Sequence, residues 1–193
     1  MKDVFLSIDL DYWDCISWDN YTNYKPLIKR NLLFNYLIKN NIPVSIYLTH
    51  DKMLRQINES KCETIINIDF HSDLTSIEFR GDLSEGNIFS YVSNRKNKTY
   101  IWLMPYYRVG ILDGDGRCDN PRYEGNVFLE RNWVYKKQIK TTNPNILKLE
   151  KIKEVGVCIS PDWINDSRSF LMDVIYPLSN NKIKQWINKD EIS

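Results

Sequence analysis

The sequence contains no alanine, only two histidines and four cysteines in 193 residues. The missing alanine, set beside 23 isoleucines and 20 asparagines, reads as the codon bias of an AT-rich genome and carries no functional information. The cysteines stand at 15, 62, 118 and 158 with no CxxC pair, and an intracellular chain would keep them reduced. Cys62 and Cys158 adjoin or lie within apolar runs and are expected in the core. Charge of one sign is not in excess: 26 Lys+Arg meet 25 Asp+Glu, a net +1 that gives no case for nucleic-acid or membrane-surface binding. Apolar runs last only a few residues, far short of the roughly 20 that span a bilayer. The N-terminus turns acidic within its first ten residues, unlike a signal peptide, so a cytoplasmic location is expected.

What is present is enough for one globular unit. The chain is 42% hydrophobic and 13% aromatic, and its length can bury a core without disulfide or metal staples. Short apolar runs at 4–8, 44–48, 64–68, 99–104 and 155–159 alternate with helical patterns at about 26–39, 52–57 and 167–187. That alternation predicts βαβ units around a mainly parallel sheet flanked by helices, a three-layer α/β fold. Residues 105–145 hold four glycines and three prolines without sustained apolar period. They are expected to form a loop-rich insertion within the single domain 1–193, carrying at most one hairpin.

Four of the five predicted strands run out into carboxylates or imidazoles. The first ends in Ser7-Ile8-Asp9-Leu10-Asp11-Tyr12-Trp13-Asp14, and the second in Thr49-His50-Asp51. The third ends in Asp69-Phe70-His71-Ser72-Asp73, and the fifth in Ser160-Pro161-Asp162. In open parallel sheets the ligand crevice lies outside the carboxyl ends of the strands, so these groups are expected on one rim. Residues two apart in extended chain point the same way, which predicts a shared face for Asp9 and Asp11, and another for Asp69, His71 and Asp73. Both histidines of the chain fall on this rim.

Four carboxylates at close range repel strongly unless something positive holds them. Carboxylates combined with imidazoles suit Mn2+, with Fe2+, Co2+ or Ni2+ as the other candidates. Six ligand-type side chains exceed the needs of one open catalytic metal, which predicts two divalent cations sharing bridging carboxylates. A pair about 3.5 Å apart lowers the pKa of water held between them and supplies a nucleophile at neutral pH.

The motifs SxDxDxxD (Ser7 to Asp14) and DxHxD (Asp69 to Asp73) resemble the two metal motifs of arginases and related ureohydrolases. His50, ending a strand ahead of DxHxD, resembles that family's third ligand element. Ser84-Glu85-Gly86-Asn87 resembles its SGN segment with one residue inserted. In arginases SxDxDxxD follows DxHxD, whereas here it precedes it. That permuted order, the short length and the SPD at 160–162 resemble the small arginase-like family that includes peptide arginases, which convert arginine side chains of ribosomally made peptides to ornithine. The resemblance covers residues 1–90 and 155–163 and is silent on 105–150.

The resemblance implies roles for individual residues. Asp9 and Asp69 would bridge two metals, His50 and Asp73 would complete one position, and His71 and Asp11 the other. Asp73 would also orient the attacking water toward the guanidinium carbon. A planar guanidinium is best matched by a paired acceptor, for which Asp162 is the candidate, with Glu85 behind it and Ser84 and Asn87 as further substrate contacts. Urea and ornithine would be the products. The family's histidine two residues beyond the SGN asparagine, thought to shuttle protons, is Phe89 here. Groups that would grip the α-amino and carboxylate groups of free arginine are not matched, which favours an arginine within a peptide.

Two other readings compete. Asp9 and Asp11 at the end of a first strand also resemble the DxD nucleophile motif of haloacid-dehalogenase-type phosphatases, although Trp13 stands where that family has Thr or Val, and His50 and DFHSD would have no role. A non-catalytic metal-binding or partner-binding module would keep the cluster without turnover. Ser84 and Asn87 have a structural alternative as caps of the element that starts near Ile88, and Asp162 as a helix N-cap.

Overall fold

A computed structural model describes residues 2–14, 21–74, 82–109 and 135–161. Its strands are β1 (Val4–Asp9), β2 (Tyr21–Lys25), β3 (Val44–Tyr47), β4 (Thr64–Ile68), β5 (Thr99–Leu103), β6 (Tyr106–Val109), β7 (Lys137–Thr141) and β8 (Ile152–Cys158). Six of them form one all-parallel sheet in the order β3-β8-β1-β4-β5-β7, while β2 and β6 pair antiparallel as a separate ribbon. All five strands expected from the apolar runs belong to the main sheet. Its central strands, VFLSID in β1 and TIINI in β4, are buried along their whole length. A parallel sheet covered on both faces requires such strands.

Alternation along the strands divides the interior in two. Val4, Leu6, Ile8, Ile66, Ile68, Val155 and Val157 face one side, where Leu33, Phe34 and Leu37 of α2 (Arg30–Lys39) cover them. Phe5, Ile65, Tyr100 and Trp102 face the other side. There they meet Met53, Ile57 of α3 (Leu54–Glu59), and Ile88 and Phe89 of a 3-10 turn, Glu85–Ser90. The result is a three-layer α/β arrangement. Cys62 and Cys158 are buried free thiols, as their apolar surroundings predict.

Three local departures have physical causes. The helix expected from Pro26 starts only at Arg30, because the Leu27 N–H donates to Tyr12 Oη at 3.1 Å and the Ile28 carbonyl accepts from Trp13 Nε1 at 2.7 Å. Those bonds tie the preceding residues to α1 (Asp11–Asp14) instead of to a helical ladder. Within 105–145 the described residues add two strands that the apolar runs did not predict: β6 pairs with β2, and β7 runs as a parallel edge strand beside β5. β7 is half exposed and reads KQIKT, so it offers no apolar run to detect. The helices expected at 167–187 lie outside the described residues. Among the described residues no helix is long and apolar enough to cross a membrane.

Candidate metal centre

β1 and β4 are adjacent in register, Ser7 opposite Asn67 and Ile8 opposite Ile68, so their carboxyl ends deliver Asp9 and Asp69 side by side. β8 lies on the other side of β1 and carries β3 on its far edge, which brings the residues after β3 to the same rim. There a 3-10 turn, His50–Met53, starts with His50, whose ring is fully buried. His50 Nδ1 lies 2.5 Å from Asp73 Oδ2, 3.5 Å from Asp69 Oδ2 and 3.6 Å from Asp9 Oδ2. A second group stands beside it, with His71 Nδ1 3.1 Å from Asp11 Oδ2. The ligand atoms of Asp9, His50 and Asp69 lie within 4.8 Å of one another, as do those of Asp11, Asp69 and His71. Asp69 belongs to both groups and Asp9 to the first alone.

The convergence does not arise from strand alternation, which corrects the expectation that Asp9 and Asp11 share a face. β1 ends at Asp9, and Asp11 opens a helical turn that swings its carboxylate toward His71 while its N–H donates to Asp9 Oδ1 at 3.1 Å. Likewise β4 ends at Ile68, and 69–73 is a turn in which the His71 N–H donates to Asp69 Oδ1 at 2.7 Å. Asp73 closes that turn in the left-handed region at φ 47°, which aspartate tolerates better than most residues. Aromatic residues of β5 pin the same turn: Trp102 Nε1 donates to the Asp69 carbonyl at 3.0 Å, and the Tyr100 hydroxyl to the Ser72 carbonyl at 2.5 Å.

The electrostatics are those of a site that could hold a cation. Asp9, Asp11, Asp69 and Asp73 are all buried. Burial, and then the neighbouring Asp11, push the Asp9 carboxyl up to about 8. Burial, followed by Asp73, Asp11 and Asp9, raises Asp69 well above the usual carboxylate range. Burial draws the His50 imidazole down, yet the surrounding Asp73, Asp9 and Asp11 carboxylates outweigh it and leave the ring above its ordinary value. His50 Nδ1 is sealed from solvent and faces three carboxylates, the nearest, Asp73, at 2.5 Å. An imidazole nitrogen and buried carboxylate oxygens in this arrangement could hold a metal ion.

Three residues around the cluster, Ser7 and Ser160 of the quoted motifs and Asn67, had been given no role from the sequence. Ser7 Oγ lies 2.7 Å from His50 Nε2, Asn67 Nδ2 donates to Asp69 Oδ2 at 2.9 Å, and Ser160 Oγ donates to Asp9 Oδ2 at 2.6 Å. Ser7 and Asn67 are polar interruptions on the inward faces of VFLSID and TIINI, a signal that could have found them. The serine of the SPD segment therefore reaches the cluster, while Asp162 lies outside the described residues.

Ser84, Glu85 and Asn87 form the entry to the 3-10 turn Glu85–Ser90. The buried Asn87 side chain accepts from the Ser84 N–H at 2.7 Å and donates to the Asp82 carbonyl at 2.8 Å, so both ends of its amide are used in closing that turn. Glu85 is half-buried beside it. Phe89, from the same turn, meets the His50 ring edge-on at 5.5 Å, and its N–H donates to the Asp73 carbonyl at 3.2 Å. It walls the cluster with an apolar ring. Scanned against protein-family models, curated proteins and solved structures, the chain has no match.

Proposed function

We propose that this chain is a binuclear metal hydrolase of arginase-like type that converts arginine side chains of a peptide to ornithine with release of urea. The observation that carries the reading is the pair of buried Asp/His groups joined through Asp69. Asp9, His50, Asp69 and Asp73 would hold one cation, and Asp11, Asp69 and His71 the other, with Mn2+ the best match to this donor set. Bound as a pair, such cations lower the pKa of water enough to make it a nucleophile at neutral pH. Asp73, whose carbonyl accepts from the Phe89 N–H, would accept a hydrogen bond from the attacking water and aim it. Asp162 and Glu85 are the carboxylates proposed to fork the guanidinium. With Phe89 where an imidazole would shuttle protons, the departing amine takes its proton from solvent.

The test is mass spectrometry of an arginine-containing, lysine-free peptide incubated with the Mn2+-loaded protein. Loss of CH2N2 per modified arginine, with urea in equal amount, is expected, and none with the Asp69→Asn variant. An unchanged peptide despite two bound cations per chain would leave the second reading, a metal-binding module without turnover. A chain that binds no cation would overturn both. The phosphatase reading gains nothing from the geometry, since it leaves His50 and His71, both in the cluster, without a role.

A further inference from the structure

We infer that Ser7 and Met53 are positioning residues that hold the proton of His50 on Nε2, so that Nδ1 faces the carboxylates ready to take a cation without rotation of the ring. The inference rests on the metal-centre reading and comes from counting hydrogens. Ser7 Oγ touches two partners, His50 Nε2 at 2.7 Å and Met53 Sδ at 3.3 Å. A thioether has no hydrogen to give, so the serine hydroxyl must be the donor in the contact with Met53. A hydroxyl carries one hydrogen. With its hydrogen on Met53 Sδ, the same oxygen accepts toward His50, and Nε2 carries the proton. On the other side of the ring Nδ1 faces three carboxylates, Asp73 at 2.5 Å, Asp69 at 3.5 Å and Asp9 at 3.6 Å. The three partners are sealed from solvent, so no water competes for these bonds.

Local chain geometry builds the device economically. His50 and Met53 are the first and last residues of one 3-10 turn, so the turn that presents the ring also presents the sulfur that orients it. Ser7 projects from β1, where it lies opposite Gly156 of β8. A Cβ at Gly156 would stand 2.5 Å from Met53 Sδ, so the missing side chain is what admits the thioether beneath Ser7. The ring keeps Nε2–H whether it is neutral or charged, and cation binding displaces only a proton at Nδ1.

The chain has only two histidines, so the His71→Gln variant leaves one ring to observe. Nitrogen-15 spectra of that ring, in metal-free protein and with Zn2+ as a diamagnetic probe, read which nitrogen is protonated. Calorimetric titration of the otherwise unaltered chain with Mn2+ reads affinity. Metal-free protein should show a slowly exchanging Nε2–H. Met53→Leu keeps the volume but removes the sulfur, and the freed Ser7 hydroxyl can then donate to Nε2. The His50 spectrum should then shift toward a mixture of tautomers, and Mn2+ affinity should fall about tenfold, the lower end for groups that orient a metal-bound histidine. Ser7→Ala should weaken Mn2+ at least as much. If Ser7→Ala does not fold, the Met53→Leu result decides alone. A Met53→Leu protein with the original ring spectrum and the original Mn2+ affinity would overturn the inference. If the unaltered chain binds no cation, the metal reading fails, while the metal-free ring spectra still support the Ser7–Met53 device if Met53→Leu shifts them and overturn it if not.

Discussion

Ser160 donates its hydroxyl hydrogen to Asp9 Oδ2 at 2.6 Å, joining residues 151 positions apart. Ser160 Oγ also lies 3.0 Å from Cys158 Sγ, whose pKa burial and the nearby Asp9 raise well above the usual value. Its backbone is left-handed at φ 47°, where a side chain is strained. Ser160→Ala removes the bond and keeps the strain, whereas Ser160→Gly removes both. Cation affinity should fall about tenfold in each, with the glycine variant the more stable by about 1 kcal/mol. Calorimetric titration and urea unfolding check the two halves separately.

Asp69 is common to both groups, and His71 belongs to one. Plasma mass spectrometry should therefore find two Mn2+ per chain in the unaltered protein, one in His71→Gln and none in Asp69→Asn. Equal losses in the two variants would show that the groups do not fill separately.

Stability should depend on pH in opposite senses with and without cations. The Asp9 carboxyl titrates at about 8 in the metal-free fold against 3.8 when unperturbed, and Asp69 and His50 are displaced in the same direction. A raised folded-state pKa gives stability that is complete below the unperturbed value and is lost as pH climbs through the folded one. In chelator the thermal midpoint should therefore fall between about pH 4 and about pH 8. With Mn2+ it should rise over the same range, because each proton that leaves makes room for the cation. A differential scan at several pH values distinguishes the two curves.

Gly156→Ala tests the packing under the cluster. The added methyl would meet Met53 Sδ, Cγ and Cε at 2.5, 2.8 and 2.9 Å. Methionine is flexible, but here it is fully buried and holds the Ser7 hydroxyl. Overpacking of this kind costs about 1–3 kcal/mol, partly offset by the lower entropy cost of folding alanine in a strand, so a net loss of about 1 kcal/mol is expected. Urea unfolding measures it.

Much of the fold was legible because buried parallel strands leave apolar runs, and VFLSID, VSIY, TIINI, TYIWL and IKEVGVC leave five. β7 left none, since an edge strand half open to water can alternate lysine with isoleucine and still pair. The candidate ligands could be read as a set because strand ends in such sheets share a rim. Their grouping could not be read. It depends on where the chain stops being extended, at Asp9 and at Ile68, and turns replace alternation from there on. The supports were less legible still. Whether Ser160 meets Asp9, or Ser7 meets Met53, follows from β8 lying between β3 and β1, a sheet order that no local pattern encodes.

That sheet order has a consequence for timing. β1 and β3 emerge early during synthesis, yet neither touches the other, because the strand that joins them, β8, spans Ile152–Cys158. On a ribosome that has not yet released those residues, Asp9 and His50 belong to edges with a gap between them. The group that contains Asp9 and His50 is therefore completed only once β8 is made, whereas Asp11, Asp69 and His71 come from the ends of β1 and β4, which pair directly.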